Sequence, residues 1–414
     1  MMDRIEQSRK AFNKFFKDDL YGRFDDDNNI ILSRGNWNDS YIDFPKFFEF
    51  CTKYSFNKHW TGYSHSLGHK NVFDSLERFV NLIEPTKKYE KSNLAVTLGN
   101  TVTIGFVFEQ LKSMYPKASI LTFTPYYPPI VKSINHYFKK IYFVSSLDTE
   151  DRILGTIQSV IVSKKIKILF LSNIIGVEGR LFSSSFWDKI LRIIKNNNIY
   201  LVIDEGIWFD ILPYPKTINN PLVIRIVSLS KKYSIPGCKI GYMLADNKFI
   251  SQYYDYASMR YGGPLSVFFL LSEFIYQFEY ISGSKNDYIK GLEVLNQRYD
   301  IPMKILVNLY EDFVEKQRLN KLKFETNIKV LSNWLLKNKH LIKNYYKFQG
   351  INVFIKPNTP KKSYSIFLNL LRKYKVSVMP SLCLGDESDS LLRLTFLEFT
   401  KDLKKGLSFL EKEL

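Results

Sequence analysis

The stretch FWDKILRIIKNNNIYLVIDE, residues 186–205, carries the two periodicities from which the fold can be read. Over 186–197, Phe186, Ile190, Ile193 and Ile194 fall on one face of a 3.6-residue repeat, which predicts an amphipathic helix. YLVID (200–204) is apolar up to its closing Asp204, which predicts a strand buried on both faces. The same rhythm extends in both directions. LAVTL (94–98), SILTF (119–123), IYFV (141–144), IKILFL (166–171), LVIRIVS (222–228) and KIGYMLA (239–245) read as further strands, most of them separated by helical segments. That alternation predicts an α/β large domain with a mostly parallel seven-stranded sheet flanked by helices.

Beyond residue 250 long helices take over, NKLKFETNIKVLSNWLLKN (320–338) being the clearest, and then GINVFIK (350–356), VSVMP (376–380) and LLRLTF (391–396) read as strands. A smaller α/β C-terminal domain is expected. The division is an N-terminal segment, 1–50, packing with the small domain, a large domain over 51–315 and the small domain over 316–414. Residues 281–315 show no clear pattern.

At 414 residues and 45% apolar content the chain can bury a large core. The net charge of +18 comes from lysines scattered among Asn, Ile, Tyr and Phe, so no basic groove for nucleic acid is expected. No apolar run is long enough for a membrane span, and the charged, aromatic start is unlike a signal peptide; the chain reads as soluble and cytoplasmic. Three separated cysteines make neither a disulfide framework nor a metal cluster. Of the five histidines only His65 and His69 share a spacing, and Gly68 between them opposes an ordered helical pair, so no metal is expected.

In an open parallel sheet, ligands gather where strands end and helices begin. After LAVTL, Gly99, Asn100 and Thr101 form either a simple turn and cap or a cradle for a phosphate. TPYYPPI (124–130) presents Tyr126 and Tyr127, which either pack the loop or offer a ring to a planar cofactor. Asp204, closing an apolar strand, needs a cationic or hydrogen-bonding partner to stay ionised. Lys231 follows a strand that ends at Ser228, with Ser228 and Ser230 placed to hold an anion; Pro236-Gly237 returns the chain to a strand carrying Lys239. Lys231 is a loop lysine or a reactive amine, and Lys232 reads as its solvated neighbour.

The pattern S-x-S-K, then P-G-x-K-x-G-Y, resembles the lysine motif of the class I/II aminotransferases, which are fold-type I pyridoxal-phosphate enzymes. Ser228, Ser230, Lys231, Gly237, Lys239 and Gly241 fall in register, and the resemblance extends over residues 60–250 and LLRLTF. It implies pyridoxal 5'-phosphate as cofactor. Lys231 would bond to the cofactor aldehyde and carry the substrate proton, and Asp204 would pair with the ring nitrogen. Tyr127 would stack on the ring. Gly99, Asn100, Thr101, Ser228, Ser230 and Lys239 would hold the phosphate, with Lys239 keeping the charge of the usual arginine but not its fork. Arg393 would grip the substrate carboxylate, and SRGNWND (33–39) resembles the loop these enzymes lay over the substrate. Tyr63 resembles a tyrosine that reaches the neighbouring subunit's phosphate, which implies a homodimer.

Two departures bear on the reaction. NIIGVEG (173–179) puts Gly176 where the family has an asparagine, and DEGIW (204–208) puts Ile207, or Trp208 if the turn is one residue longer, where it has a tyrosine. Both missing groups donate to the cofactor's phenolic oxygen, and losing them raises the pKa of the lysine–cofactor linkage. The resemblance therefore implies an aminotransferase for an amino acid and a 2-oxo acid, in specialised biosynthesis. The alternatives are a relative that performs elimination, replacement or oxidative chemistry, as aminocyclopropane carboxylate synthase resembles in its own aromatic motif, or a non-catalytic cofactor-binding protein. Regulators on this fold carry a DNA-binding domain, for which residues 1–50 are too few.

Overall fold

The computed structural model describes residues 2–17, 29–63, 65–84, 88–173, 179–206, 220–261, 265–284, 288–345 and 350–414. Its N-terminal part contains α1 (Met2–Phe15), β1 (Ile30–Ile31), α2 (Phe47–Asn57) and α3 (Lys70–Ile83). The predicted strand runs follow as β2 (Leu94–Thr97), β3 (Ser119–Thr124), β4 (Ile141–Ser145), β5 (Ile166–Ser172), β6 (Tyr200–Glu205), β7 (Val223–Ser228) and β8 (Gly241–Leu244). Between and after them run α4 (Asn100–Met114), α5 (Pro128–Tyr137), α6 (Glu150–Lys164), α7 (Ser184–Asn197), α8 (Ser230–Tyr233) and α9 (Asn247–Tyr261). These strands form one sheet in the order β2-β8-β7-β6-β5-β3-β4. Strands β3 to β7 pair in parallel, and β8 runs antiparallel to both neighbours.

Alternation along each strand divides the core into two layers. Leu121, Leu169, Leu201 and Ile203 join the cluster that contains Phe186, Trp187, Ile190 and Ile194 of α7. Ile120, Ile168, Val202 and Ile224 join the other, with Ile104 and Val107 of α4. Both faces are therefore dry, which is why these strands read as uninterrupted apolar runs. Helix α7 starts where it does because Ser183 Oγ accepts from Phe186 N at 3.1 Å, and it ends at Asn198 in the left-handed region at φ 50°.

The C-terminal part contains α10 (Phe269–Gly283), α11 (Tyr288–Tyr299), α12 (Met303–Lys337), β9 (Ile342–Tyr345), β10 (Asn352–Pro357), α13 (Ser363–Tyr374), β11 (Val376–Ser377), β12 (Met379–Pro380), β13 (Leu392–Thr395) and α14 (Thr400–Glu413). The stretch without a sequence pattern, 281–315, is thus largely helical. A four-stranded antiparallel sheet forms in the order β12-β13-β10-β9, with β9 unforeseen from the sequence because three of its four residues are exposed. Strand β1 pairs in parallel with β11, and Leu32 O accepts from Thr395 N at 2.8 Å, so the N-terminal chain is tied to this part. Helix α12 passes from one core to another: Leu306, Leu309 and Phe313 lie in a cluster with α2, α3 and α10, whereas Leu331, Trp334 and Leu335 lie in the cluster of the C-terminal sheet. The expected boundary at 315/316 falls inside this continuous helix.

At the floor of the large sheet, Arg225 is buried between two acids. Its Nε and Nη2 donate to Glu205 Oε1 and Oε2 at 2.6 and 2.9 Å, and Nη1 donates to Glu84 Oε1. Burial pushes the Glu205 carboxyl up, and the guanidinium opposes that push. Arg225→Ala would leave two carboxylates in a dry site, so chemical denaturation at neutral pH should show a loss of about 3–5 kcal/mol. The loss should shrink as the pH falls and the carboxylates take up protons.

Candidate active site

The carboxyl ends of the parallel strands open on one cavity of about 540 Å³. Gly99 turns the chain out of β2 at φ 75°, a conformation that favours glycine, and caps α4. Gly99, Asn100 and Thr101 line the cavity at this helix N-terminus, where free N–H groups and the helix dipole favour an anion. The Asn100 side chain differs from the expectation that it serves a phosphate. Its Nδ2 donates to Asp204 Oδ1 at 2.5 Å and to Ile226 O at 3.0 Å, because the buried carboxylate of Asp204 needs donors. Gly206 leaves room for this contact: a Cβ there would lie 3.1 Å from both Asn100 Nδ2 and Asp204 Oδ1.

Asp204 lies at the end of β6 and lines the same cavity. Burial raises its pKa to about 6 against the pull of Asn100 and of the Gly206 backbone, and among the described residues no cation pairs with it. It is placed to accept from a protonated nitrogen that the chain itself does not supply.

Strand β7 ends at Ser228, whose Oγ donates to Ser230 Oγ at 2.8 Å and accepts from Ser230 N at 3.2 Å. Ser230 opens the one-turn helix α8, which carries Lys231 into the cavity. Burial first, then the charges of Arg393 and Lys239, lower the Lys231 pKa to about 8, and its amine has no hydrogen bond or ion pair among the described residues. Two expectations need correction here. Lys239 is not on a strand: it leaves the 3₁₀ turn Pro236–Cys238 in the left-handed region at φ 53°, and β8 begins two residues later. Lys232 is not solvated: its side chain is 12% exposed and pairs with Glu279 on α10. The turn is packed on a helix that is distant in sequence, so local polarity gave no sign of it.

Opposite the sheet, the chain before β2 and the C-terminal part close the cavity. Ser33, Arg34, Asn36, Trp37 and Asp39 line it, as does Arg393 from β13. Arg393 Nη2 donates to Ser33 O, its Nε is buried without a hydrogen-bond partner among the described residues, and burial lowers its pKa to about 10. Both tyrosines line the cavity: Tyr126 is buried, its OH 2.7 Å from Ser8 Oγ, whereas Tyr127 is more exposed, with Phe12 edge-on at 6.3 Å. Phe12 of α1 and Phe16, just past its end, also line the cavity and were missed. Their only signal was the apolar face of a charged N-terminal helix. Tyr63 does not line the cavity and is 97% exposed. His65 stacks on Tyr254 and His69 on Phe269. Gly176, Ile207 and Trp208 lie outside the described residues.

The profile described as aminotransferase class I and II matches residues 52–267, just over half of the chain. The chain belongs to that family. Among its class I and II aminotransferase relatives is the aspartate aminotransferase of Sulfurisphaera tokodaii, 25% identical over 232 residues, an alignment that covers 52% of this chain. This chain thus spans about half of that relative, 55% of its length. The fold matches an archaeal alanine:glyoxylate aminotransferase with a TM-score of 0.74 at 16% identity, covering 99% of this chain and 94% of the other. It matches a mutant aspartate aminotransferase of Thermus thermophilus with a TM-score of 0.72 at 15% identity, covering 98% and 96%.

Class I and II aminotransferases are transferases that use pyridoxal phosphate, and the cavity fits that group on three observations. Asp204 is a buried carboxylate lacking a cation, as a ring N–H requires. The start of α4, the paired serines and Lys239 converge as donors for a phosphate dianion. The Lys231 amine is desolvated and uncommitted. In cofactor-free protein, labelling of Lys231 by an acylating reagent, followed by peptide mass spectrometry, should rise through about pH 8. Arg393→Met removes a like charge and should move that midpoint upward.

Proposed function

We propose that this protein is a pyridoxal-phosphate-dependent aminotransferase that moves an amino group between an amino acid and a 2-oxo acid, in specialised biosynthesis. The observation that carries the reading is the meeting in one cavity of the uncommitted Lys231 amine and the unpaired Asp204 carboxylate. Bound there, the cofactor supplies an aldehyde for the amino group and an electron-withdrawing ring. Lys231 Nζ is the amine that would hold the cofactor aldehyde and would take and return the substrate α-proton; a pKa of about 8 leaves part of it neutral near neutral pH. Asp204 accepts from the ring N–H and is held ionised by that positive charge. Tyr127 covers the ring. Gly99, Asn100 and Thr101, through the start of α4, hold the phosphate together with Ser228, Ser230 and Lys239, and Arg393 binds the substrate carboxylate through its unpartnered Nε.

A homodimer with shared active sites belongs to the same reading. Tyr63 and Leu265 are exposed, and Ser266 Oγ donates to Gly62 O, which brings the two exposed segments together and supports a second copy meeting the chain there. The division at residues 50 and 315 belongs to the same reading, with α12 running through the second boundary as the connecting helix. The replacements at Gly176 and Ile207 favour one competing reading, an elimination or replacement reaction without net amino transfer.

Reconstituted protein should show a visible band that borohydride fixes to Lys231, and Lys231→Ala should lose both band and adduct. With a panel of amino acids, formation of the pyridoxamine form and a 2-oxo acid supports amino transfer, whereas ammonia or an altered side chain without it supports the competing reading. Asp204→Asn should lower kcat by about a hundredfold or more, the scale of one lost electrostatic contact. Light scattering should give twice the 48.8 kDa chain mass.

A further inference from the structure

The three residues that follow Lys231 are each tied down by their side chains. Lys232 Nζ pairs with Glu279 Oε1, and Tyr233 OH donates to the same oxygen. Gln317 Nε2, on α12, donates to Tyr233 OH at 3.0 Å and to Glu279 Oε1 at 3.5 Å. Ser234, left-handed at φ 54°, donates from Oγ to Asp39 Oδ1 at 2.9 Å and accepts from Asn36 Nδ2 at 2.6 Å. Helix α8 has four residues, and a single turn cannot hold itself in water. Its placement needs support from the rest of the fold, and these long-range ties supply it together with the burial of Leu229, Tyr233 and Ile235.

We propose that Glu279 is a positioning residue for Lys231, holding the α8 turn through Lys232 and Tyr233 so that the amine points into the cavity. The inference rests on the assignment of Lys231 as the reactive amine. Glu279 does not line the cavity and touches neither substrate nor cofactor. Its carboxylate is 13% exposed, so its ion pair is little screened and fixes geometry better than a surface pair does. Gln317 brings α12 into the same group, and Asn36 and Asp39 bring in the cavity wall beside Arg34 and Trp37. The amine is thus referred to both sides of its site through residues close to it in sequence.

The test uses cofactor-free protein and reads the pH midpoint for acylation of Lys231, whose neighbouring charges are Arg393 and Lys239. Glu279→Ala frees the turn, lets water reach the amine, and should raise the midpoint by about one pH unit. Glu279→Gln keeps an acceptor for Tyr233 and should raise it less. Simple loss of a negative charge would lower the midpoint in both variants, so a fall, or no change in either, overturns the proposal. If Glu279→Ala does not fold, Gln317→Ala decides by the same reading, and an unchanged midpoint there overturns the proposal. In loaded enzyme, kcat should fall roughly ten- to a hundredfold in Glu279→Ala with KM nearly unchanged. Absence of the visible band in wild-type protein would sink the cofactor reading itself, while the midpoint in cofactor-free protein still tests the positioning.

Discussion

Asp204 is held at the carboxyl end of β6 by one amide of Asn100 and one backbone N–H of Gly206, in surroundings that disfavour its charge. Much of the site is arranged around keeping that carboxylate there. Asn100 is spent on it, so its side-chain amide is not free to face the cavity as a donor. A side chain at Gly206 would crowd both partners of that contact, its Cβ lying 3.1 Å from each. Its chain neighbour Glu205 faces the other way, into the pair with Arg225, so two successive acids at one strand end are stabilised by opposite means. One has an internal cation. The other is left short of a cation that a ligand can bring.

Lys231 presents the complementary problem. A buried amine beside two cations is held partly neutral, and it stays useful only if its short helix cannot drift. The chain meets this by packing rather than by local sequence. Lys232 and Tyr233 reach α10 and α12, Ser234 reaches the wall of the cavity, and the end of the interior strand β7 supplies Ser228. Helix α12 links the core under the sheet to the core of the C-terminal part, so the turn shares a support with both.

The large sheet was legible because both faces of its strands are buried, which leaves apolar runs that no exposed strand would keep. Strand β9 was not, because three of its four residues face water and it forms only by pairing with β10. In the site, Asp204, Ser228, Ser230 and Lys231 were legible from their position at strand ends and their spacing. Phe12 and Phe16 were not, since nothing in α1 or at its end says which wall it will cover. Lys232 was misread for the same reason, as its partner Glu279 lies 47 residues away in the chain.

The sequence by itself determined the α/β alternation, the strand ends where chemistry collects, and the lysine within its serine and glycine frame. These depend on short-range periodicity and spacing, which the chain carries wherever it folds. The tertiary structure decided which charges meet: Asn100 with Asp204, Arg225 with two acids, Lys232 with Glu279, Arg393 with Ser33. Burial and Coulomb energy act through distance in space, and that distance exists only after the sheet, α12 and the C-terminal strands have come together.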